Sequence, residues 1–453
     1  MINKFLKKTK NIPIFLRSLF LAVIAIYFFL LPFGVAIFNL QDPGLKNGQL
    51  PKFTYHWHKK LAKDIPPWAN ERVRSSKASK LNTRDISGTE WPMFSAVYFL
   101  WATEALQDDW VKNPNATSTA PSIYAKAAIN AAIKLITDPD NATWVKTHWG
   151  DDYLYQENIF YRMLLIAGLT SYQKLTGNEQ FESLLINQVD SLSRELEASP
   201  FGLLDDYPGE CYPVDILPAL AVIQRAGKLL NRDHASFLAQ SVRAFSESRV
   251  DPSTNLPAYV ANSKTGEGIG SARGVGISYM LIWAPELWPN TASDWYANYE
   301  KYFWQQNNLL SGFREYPKGI SYGDWFFEID AGPVIKGYGV AASAFGIGAA
   351  RVNNRFEHAY PLAAEAIVAS WPLLSGSLLI PRALSNLSDA PYLGESALLF
   401  NMTRKPILKS ATTKKTSLPA FVYLFLLFYA LSGLLILCYA IVPVWRYYKK
   451  AHI

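Results

Sequence analysis

Apolar and polar positions between residues 86 and 403 follow one repeating plan. A turn rich in Gly, Asp or Pro leads into an apolar helix, and a short polar turn then leads into a helix with one charged face. The pattern predicts five such hairpins. Helix 92–106 pairs with 122–137, 156–176 with 179–198, 214–230 with 234–248, 273–283 with 293–306, and 332–351 with 356–371. A partial sixth pair would combine 394–403 with the helical stretch 55–80.

The two helices of each pair differ in their surfaces. The first is apolar on most sides, which is typical of a buried helix, and the second carries charge, which is typical of an outer helix. Alternating apolar and polar residues are scarce outside the short stretch 256–260, so the predicted fold class is all-α. Five or six hairpins with buried first helices favour an (α/α)6-type toroid, and an open solenoid is the alternative that the spacing leaves open.

Two stretches without any charged residue, 18–40 and 418–445, flank the hairpins. Both exceed the ~20 apolar residues that cross a bilayer, so each is predicted to be a transmembrane helix, with Pro32 and Gly34 kinking the first. A cleaved signal peptide is the rival for the first stretch, which is long and lacks an obvious cleavage site. The predicted organisation is a basic segment 1–17, a transmembrane helix 18–40, a linker with the first helices 41–85, a toroid domain 86–403, a basic linker 404–417, a transmembrane helix 418–445 and a basic tail 446–453.

The net charge of +7 and the pI near 9.0 would by themselves suggest a nucleic-acid partner. Thirteen of the 44 basic residues lie in segments 1–17, 404–417 and 446–453, and these segments contain no acidic residue. This leaves 31 basic and all 37 acidic residues in 41–403, a net charge of −6. The basic residues therefore predict contact with anionic lipid headgroups of a bilayer and no nucleic-acid partner.

The orientation follows from the charges beside the spans. Five basic residues before the first span and three after the second favour cytoplasmic termini and an extracytoplasmic domain, although the domain-side flanks are also basic. Oligomerisation stays open, because nothing in the sequence bears on it.

Acidic and aromatic residues gather at the predicted starts of the first helices, which a toroid would bring together at one end. The candidate catalytic acids are Asp206, Glu210, Asp215, Glu90 and Glu157. The candidate substrate-binding residues are Arg273, Asn158, Tyr207, Cys211, Trp325 and Asp330. Each acid alone is typical of a helix cap, which stabilises by about 1 kcal/mol. Together they suit general acid/base chemistry, since repulsion and burial keep one carboxyl protonated while another stays ionised.

Other chemistries have weaker support. Arg273 would hold a carboxylate ionised or bind an anionic group of the substrate. The histidines are scattered without metal-ligand spacing, and the pairs Gly337/Gly339 and Gly346/Gly348 are predicted to lie inside a helix as close-packing sites. Neither a metal nor a cofactor is therefore predicted.

Several motifs in the second and third hairpins resemble the linalool dehydratase/isomerase family. The resemblance covers roughly 85–320 and is carried by Glu157-Asn158-Ile159-Phe160-Tyr161, Leu175-Thr176-Gly177, Ser199-Pro200-Phe201-Gly202 and Asp251-Pro252, and more loosely by 273–303. It implies an α/α toroid with an apolar pocket that eliminates water from small isoprenoid alcohols by acid/base catalysis.

The departures from that family concern its catalytic residues. The positions of the family's two cysteines fall near Asp206 and Asp215, its histidine falls at Met163, and Arg273 replaces a tyrosine. Cys211 is nearby but out of register. The resemblance therefore implies the fold and the location of the pocket, and it does not imply the reaction.

Three functions remain in competition. The leading prediction is a membrane-anchored enzyme that performs acid/base elimination or isomerisation on a small lipid-like or isoprenoid substrate. The first alternative is a cell-envelope glycan hydrolase or lyase, because paired carboxylates with Trp and Tyr also suit sugars. The second is a non-catalytic binding or assembly protein in which the acids serve as helix caps.

Overall fold

Helices dominate the structure, a computed structural model that describes residues 12–242, 245, 250–320, 323–408 and 417–451. Helical residues make up 66% and strand residues 7%, which confirms the prediction of a mostly helical protein. Parts of the predicted segments 1–17, 404–417 and 446–453, and the end of the predicted helix 234–248, lie outside the described residues.

The α-helices are numbered in chain order. They are α1 Ile12–Ala25, α2 Leu31–Leu40, α3 Phe53–Arg74, α4 Ile86–Thr89, α5 Trp91–Lys112, α6 Pro121–Tyr124, α7 Lys126–Thr137, α8 Thr143–Trp149, α9 Ile159–Thr176, α10 Glu182–Ala198, α11 Pro213–Leu229, α12 Ala235–Ser241, α13 Gly274–Leu287, α14 Pro289–Phe303, α15 Val340–Val352, α16 Phe356–Ala369, α17 Leu379–Leu387, α18 Leu393–Met402 and α19 Ala420–Ala451. A π-helical segment, Ile26–Leu30, joins α1 to α2.

Short strands form four small antiparallel sheets. The strands are β1 Val250–Asp251, β2 Leu256–Pro257, β3 Val260–Ala261, β4 Gly268–Ile269, β5 Trp304–Gln306, β6 Ser311–Phe313, β7 Trp325–Glu328, β8 Gly332–Ile335 and β9 Tyr338–Gly339. The first six pair in sequence order as hairpins, and β7, β8 and β9 form a three-stranded sheet.

Six helices are buried along more than half of their residues and form a connected set, which we call the core helices: α5, α9, α11, α13, α15 and α18. Each contacts the next in this order, and α18 also contacts α5. More amphipathic helices pack against them, with α10 on α9, α14 on α13 and α16 on α15. The predicted close-packing role of Gly348 is confirmed, because a Cβ atom there would clash with Asn401 of α18.

The structure corrects the predicted helix 332–351. Its first part is strands β8 and β9, so Gly337 and Gly339 do not lie in a helix, and α15 begins only at Val340. Positive φ angles at Gly332 (63°), Lys336 (51°) and Gly337 (80°) close the turns of this sheet and are incompatible with a helix. The predicted helix 293–306 likewise ends at Phe303, where β5 takes over.

Two segments, Ile14–Leu40 and Ala420–Lys449, are long and apolar enough to cross a membrane. Only 17% of each apolar window is buried, unlike the core helices. The two segments pack antiparallel, because Phe15 contacts Tyr447 with ring centroids 5.7 Å apart and Phe29 contacts Phe428 at 6.2 Å. Phe15 near the start of the first segment and Tyr447 near the end of the second therefore lie at the same end of this pair.

The irregularity of the first segment has a specific cause. Pro32 has no N–H to donate to the carbonyl of Phe28, and the π-helical segment lies directly before it. The Nε1 atom of Trp371, which follows α16, donates a hydrogen bond to this Phe28 carbonyl at 2.7 Å. The same indole packs on Phe29 and Tyr429 with centroids 5.4 and 5.0 Å apart. One tryptophan thus ties the helical domain to both apolar segments.

We expect Trp371→Phe to lower the unfolding temperature in neutral detergent, since the Phe28 carbonyl loses its donor while the ring packing remains. The expected loss is roughly 1 kcal/mol. Trp445→Phe is the matched control, because Trp445 lies in α19 and is 59% exposed. Equal unfolding temperatures for the two variants would show that the hydrogen bond of Trp371 contributes nothing to the attachment of the segments.

Candidate acid/base site

Four carboxylates from distant parts of the chain form what we call the acidic cluster: Glu90, Asp206, Asp215 and Asp330. Glu90 directly precedes α5, and Asp215 lies in the first turn of α11. Asp206 lies in the loop before α11, and Asp330 lies in the turn between β7 and β8. The convergence of helix starts that the sequence predicted therefore holds for Glu90 and Asp215, which the core helices supply.

Helix capping accounts for only part of this cluster. The side chain of Glu90 makes no capping hydrogen bond to α5. Asp206 accepts a hydrogen bond from the N–H of Phe160 at the start of α9, but its Oδ1 atom is buried without a partner among the described residues. A buried carboxylate oxygen without a donor is costly, so its retention points to a role other than stability.

Burial and mutual repulsion raise the pKa of the cluster. For Asp206, burial and then the charges of Glu210 and Asp330 outweigh the Phe160 N–H and raise the pKa to about 7. For Asp215, burial and then Asp206 and Asp330 raise the pKa well above its usual range. The cluster can therefore hold a proton at neutral pH beside a second, ionised carboxylate.

Burial and neighbouring charges also raise the pKa of the other two members, Glu90 and Asp330. Burial and then the charge of Asp206 raise the pKa of Glu90, although the Tyr207 hydroxyl donates a hydrogen bond to it. The pKa of Asp330 is also raised by the surrounding protein, while its side chain keeps contact with solvent. The cluster is therefore recessed and still reachable from outside.

Tyrosines border the cluster. Tyr259 donates a hydrogen bond to Asp330 at 3.0 Å, and Tyr212 donates one to Glu210 at 2.8 Å. Glu210 itself is exposed, so the structure leaves it at the rim while Asp206 and Asp215 lie deeper. Of the candidate acids named from sequence, Asp206, Asp215 and Glu90 come together, and Tyr207 joins them through Glu90.

An aromatic group lies one turn further along the core helices. Phe94, four residues after Glu90, packs on Phe160 and Tyr279 with centroids 5.4 and 5.9 Å apart. Burial is the main cause that raises the pKa of the Tyr279 hydroxyl, and the charge of Asp215 is the second. Tyr279 and Asp215 are therefore near each other. The acidic cluster thus has aromatic rings beneath it and tyrosine hydroxyls around it.

Arg273 is held by two carboxylates. Its Nε atom donates to Glu315 at 2.8 Å, its Nη1 atom donates to Glu328 at 2.9 Å, and the guanidinium lies 4.5 Å from the ring centre of Tyr259. These contacts occupy the donors that an anionic substrate would need. Arg273 therefore fits the predicted role of pairing with carboxylates, and it ties the start of α13 to strand β7.

Glu157 and Asn158 hold the backbone around the site. Glu157 accepts a hydrogen bond from the Asp205 N–H at 2.5 Å, and the Asn158 amide donates to the carbonyls of Tyr153 and Gln156. These bonds connect the start of α9 to the loop that carries Asp206. Both side chains therefore support the cluster instead of belonging to it.

Cys211 and Trp325 are set apart from the cluster in different ways. Burial, and then the charge of Asp205, raises the pKa of the Cys211 thiol, so the nucleophilic thiolate is disfavoured. Trp325 lies on β7 and is 64% exposed, so it does not line the aromatic group below the acids. The sequence pattern did not indicate Tyr259 and Glu315 as site residues. Both lie next to short strands, and the repeating pattern of helices gave no reason to single them out.

Among the residues that the structure describes, no group of three or more His, Cys, Asp or Glu side chains has the arrangement of a metal site. No family model matches the chain, and no curated protein matches it. The geometry and charge of the cluster are therefore the basis for assigning a function.

We expect Arg273→Met to destabilise the protein by roughly 3–5 kcal/mol, because Glu315 would be left buried without its charged partner. Thermal unfolding in neutral detergent measures the loss. Arg74→Met is the control, since Arg74 pairs with Glu71 at the surface, where the two side chains are 78% and 56% exposed. A loss no larger than that of the control would contradict a stabilising role for Arg273.

The acidic cluster should also make stability depend on pH. The pKa of Asp206 rises from 3.8 to about 7 on folding, so its contribution is most favourable below about pH 4 and is lost as pH rises through 7. We therefore expect Asp206→Asn to be more stable than the wild type at pH 8, and this advantage to shrink toward pH 4. Unfolding temperatures from pH 4 to 9 test this, with Asp294→Asn on the exposed face of α14 as control.

Proposed function

We propose that residues 86–403 form an (α/α)6-type toroid whose inner wall consists of the core helices. The return contact of α18 with α5 supports a closed ring, because an open solenoid would leave its first and last repeats apart. Closure is also supported by one common cavity, described below, which is lined by the ends of five core helices and by the segment that follows α18.

We further propose that the protein is a membrane-anchored enzyme that eliminates or rearranges the hydroxyl group of a small, neutral, lipid-like or isoprenoid alcohol. The observation that carries this proposal is the acidic cluster, in which the buried Asp206 has a pKa of about 7 and lies beside the half-buried Asp215, whose pKa is also raised. The strongest charges acting on these two groups are other carboxylates. Such a site repels anionic substrates and stabilises positive charge that develops in a transition state.

The proposed reaction assigns a role to each acid. A protonated carboxyl, Asp215, donates its proton to the hydroxyl group as the carbon–oxygen bond breaks and water leaves. An ionised carboxylate, Asp206, accepts the proton from the adjacent carbon, whose C–H electrons form the new double bond. Returning water to a different carbon would complete an isomerisation. The aromatic rings of Phe94 and Phe160 stabilise the positive charge that develops on the substrate. The resemblance to the linalool dehydratase/isomerase family supports this substrate class.

A glycan hydrolase or lyase is the second candidate. The observation in its favour is the rim of the site, where Tyr212 pairs with the exposed Glu210 and Tyr259 pairs with the exposed Asp330. Hydroxyl-rich sugars bind to such rims, and their oxocarbenium transition states also gain from nearby carboxylates. The capping interpretation behind a non-catalytic protein is weakened by Glu90, which makes no capping bond.

We also propose that both apolar segments cross the bilayer, with the termini in the cytoplasm and the domain on the other side. Their antiparallel packing and exposed apolar surfaces support this arrangement. The hydrogen bond from Trp371 to Phe28 would hold the domain against the membrane, where a lipid-like substrate partitions.

The experiment compares isoprenoid alcohols and oligosaccharides as substrates of the full chain in nanodiscs. We expect turnover of an isoprenoid alcohol, with a rate that rises as pH increases through about 7, because Asp206 then loses its proton and can act as the base. Asp206→Asn and Asp215→Asn should each lower the rate by roughly 10²–10⁴-fold. Asp294→Asn serves as the control and should keep the wild-type rate and pH profile.

The outcomes separate the candidates. Turnover of oligosaccharides alone, with the same loss in both variants, would replace the alcohol with a glycan as substrate. Wild-type rates in Asp206→Asn and Asp215→Asn on an identified substrate would contradict any catalytic role of the cluster.

A further inference from the structure

A cavity of about 560 Å³ lies at the opposite end of the core helices from the acidic cluster. It is lined by residues from the C-terminal parts of five core helices, including Glu104 of α5 and Arg225 of α11, and by the segment that directly follows α18. Glu104 follows Glu90 by fourteen residues of one helix, which corresponds to about 21 Å. The cavity is therefore a separate site, and its volume is within the usual range for small-molecule pockets.

The charges that line this cavity do not balance. Its acidic residues are all paired: Lys174 contacts Glu104 at 3.1 Å and Asp108 at 3.0 Å, and Arg225 contacts Glu286 at 2.8 Å. Lys405 pairs with Asp109 at 2.6 Å. Two lining cations, Lys228 and Arg404, have no carboxylate partner among the described residues.

Arg404 is the unusual member of the pair. Its side chain is 8% exposed, and its Nε and Nη2 atoms donate to the carbonyls of Phe400 and Trp101, both at 3.1 Å. No hydrogen bond from its Nη1 atom to a described residue is present. Burial, and then the nearby charge of Arg225, lowers the pKa of Arg404 to about 9, so the guanidinium still carries its charge at neutral pH. A buried charge without a counterion is costly, and an anion in the cavity would remove that cost.

Helix polarity explains only part of this arrangement. The C-terminal ends of helices attract cations, which accounts for basic residues such as Lys174 and Lys228 in the last turns of α9 and α11. It does not require a chamber large enough for an organic molecule, nor a buried arginine at its wall. The remaining wall is largely apolar and includes Trp101, Val222 and Ile282.

We infer that this cavity binds an alkyl phosphate, with the phosphate group on Arg404 and Lys228 and the apolar chain against Trp101, Val222 and Ile282. Two unpaired cations match the charge of about −1.5 to −2 on a phosphate monoester better than the single charge of a carboxylate. The apolar wall distinguishes such a ligand from inorganic phosphate. The ligand could be a soluble phosphate ester or a phosphate-bearing lipid, since both present the same chemical group.

The test measures binding of n-hexyl phosphate to the full chain in a neutral detergent, by calorimetry and by the fluorescence of the protein's tryptophans. We expect saturable binding that is at least about tenfold tighter than that of hexanol or of inorganic phosphate. Hexanol lacks the phosphate group, and inorganic phosphate lacks the alkyl chain. Equal affinity of hexyl phosphate and either reference compound would overturn the inference, as would no binding at millimolar concentration.

Variants separate recognition from folding. Lys228→Met removes an exposed side chain that the fold does not need, and it should weaken hexyl phosphate binding roughly tenfold. Lys134→Met, an equally exposed change in the last turn of α7, should leave binding unchanged. Arg404→Lys keeps the charge and should bind more weakly than the wild type. Identical affinities for the Lys228 and Lys134 variants would contradict the assignment.

Competition between lipids and hexyl phosphate, measured with the protein in nanodiscs, identifies the source of the ligand. If phosphatidic acid competes with hexyl phosphate and phosphatidylcholine does not, the cavity takes a lipid headgroup. If neither lipid competes, it takes a soluble ester, and the alkyl phosphate assignment stands in both cases. Because this assay requires no turnover, its result is independent of the proposed reaction at the acidic cluster.

Discussion

Closely packed aromatic side chains in the middle of the helical domain are the interaction on which the other features depend. Trp101 of α5 packs on Trp283 of α13 with centroids 4.6 Å apart and on Phe400 of α18 at 5.3 Å. Tyr98 joins Phe345 of α15 to the same group at 6.0 Å. Because these rings fill the centre and exclude water, polar chemistry is confined to the two ends of the core helices.

The polarity of the core helices sorts charge between those ends. Glu90 and Asp215 lie where helix N-termini carry partial positive charge, and Lys174 and Lys228 lie where C-termini carry partial negative charge. Helix dipoles are worth only ~0.3–1 kcal/mol each at exposed positions, so they favour these residue types without explaining deep burial. Helix dipoles do not explain why the carboxyl of Asp206 and the guanidinium of Arg404 are buried. Each of these two groups lies at one of the two proposed binding sites.

The acidic cluster lowers the stability of the fold, and hydrogen bonds and ion pairs around it stabilise the surrounding loops. Ionising Asp206 in its buried position is unfavourable near neutral pH, since its pKa on folding rises to about 7. The bond from Asp205 to Glu157 and the pairing of Arg273 with Glu315 hold the surrounding loops and the start of α13. Rigid surroundings of this kind prevent the carboxylates from moving apart to relieve their repulsion, as preorganised sites require.

The helices, the two apolar segments and the gathering of acids at helix starts could all be predicted from local sequence patterns. Helical periodicity and caps are local, so 156–176 and 214–230 could be predicted within a few residues. The tertiary structure determines that 332–339 forms strands β8 and β9, because pairing with β7 and the left-handed turns override the apolar pattern. It also decided that Arg273 meets Glu315 and Glu328, which lie 42 and 55 residues away. Side-chain partners at such separations depend on how the helices pack, and no local pattern records that.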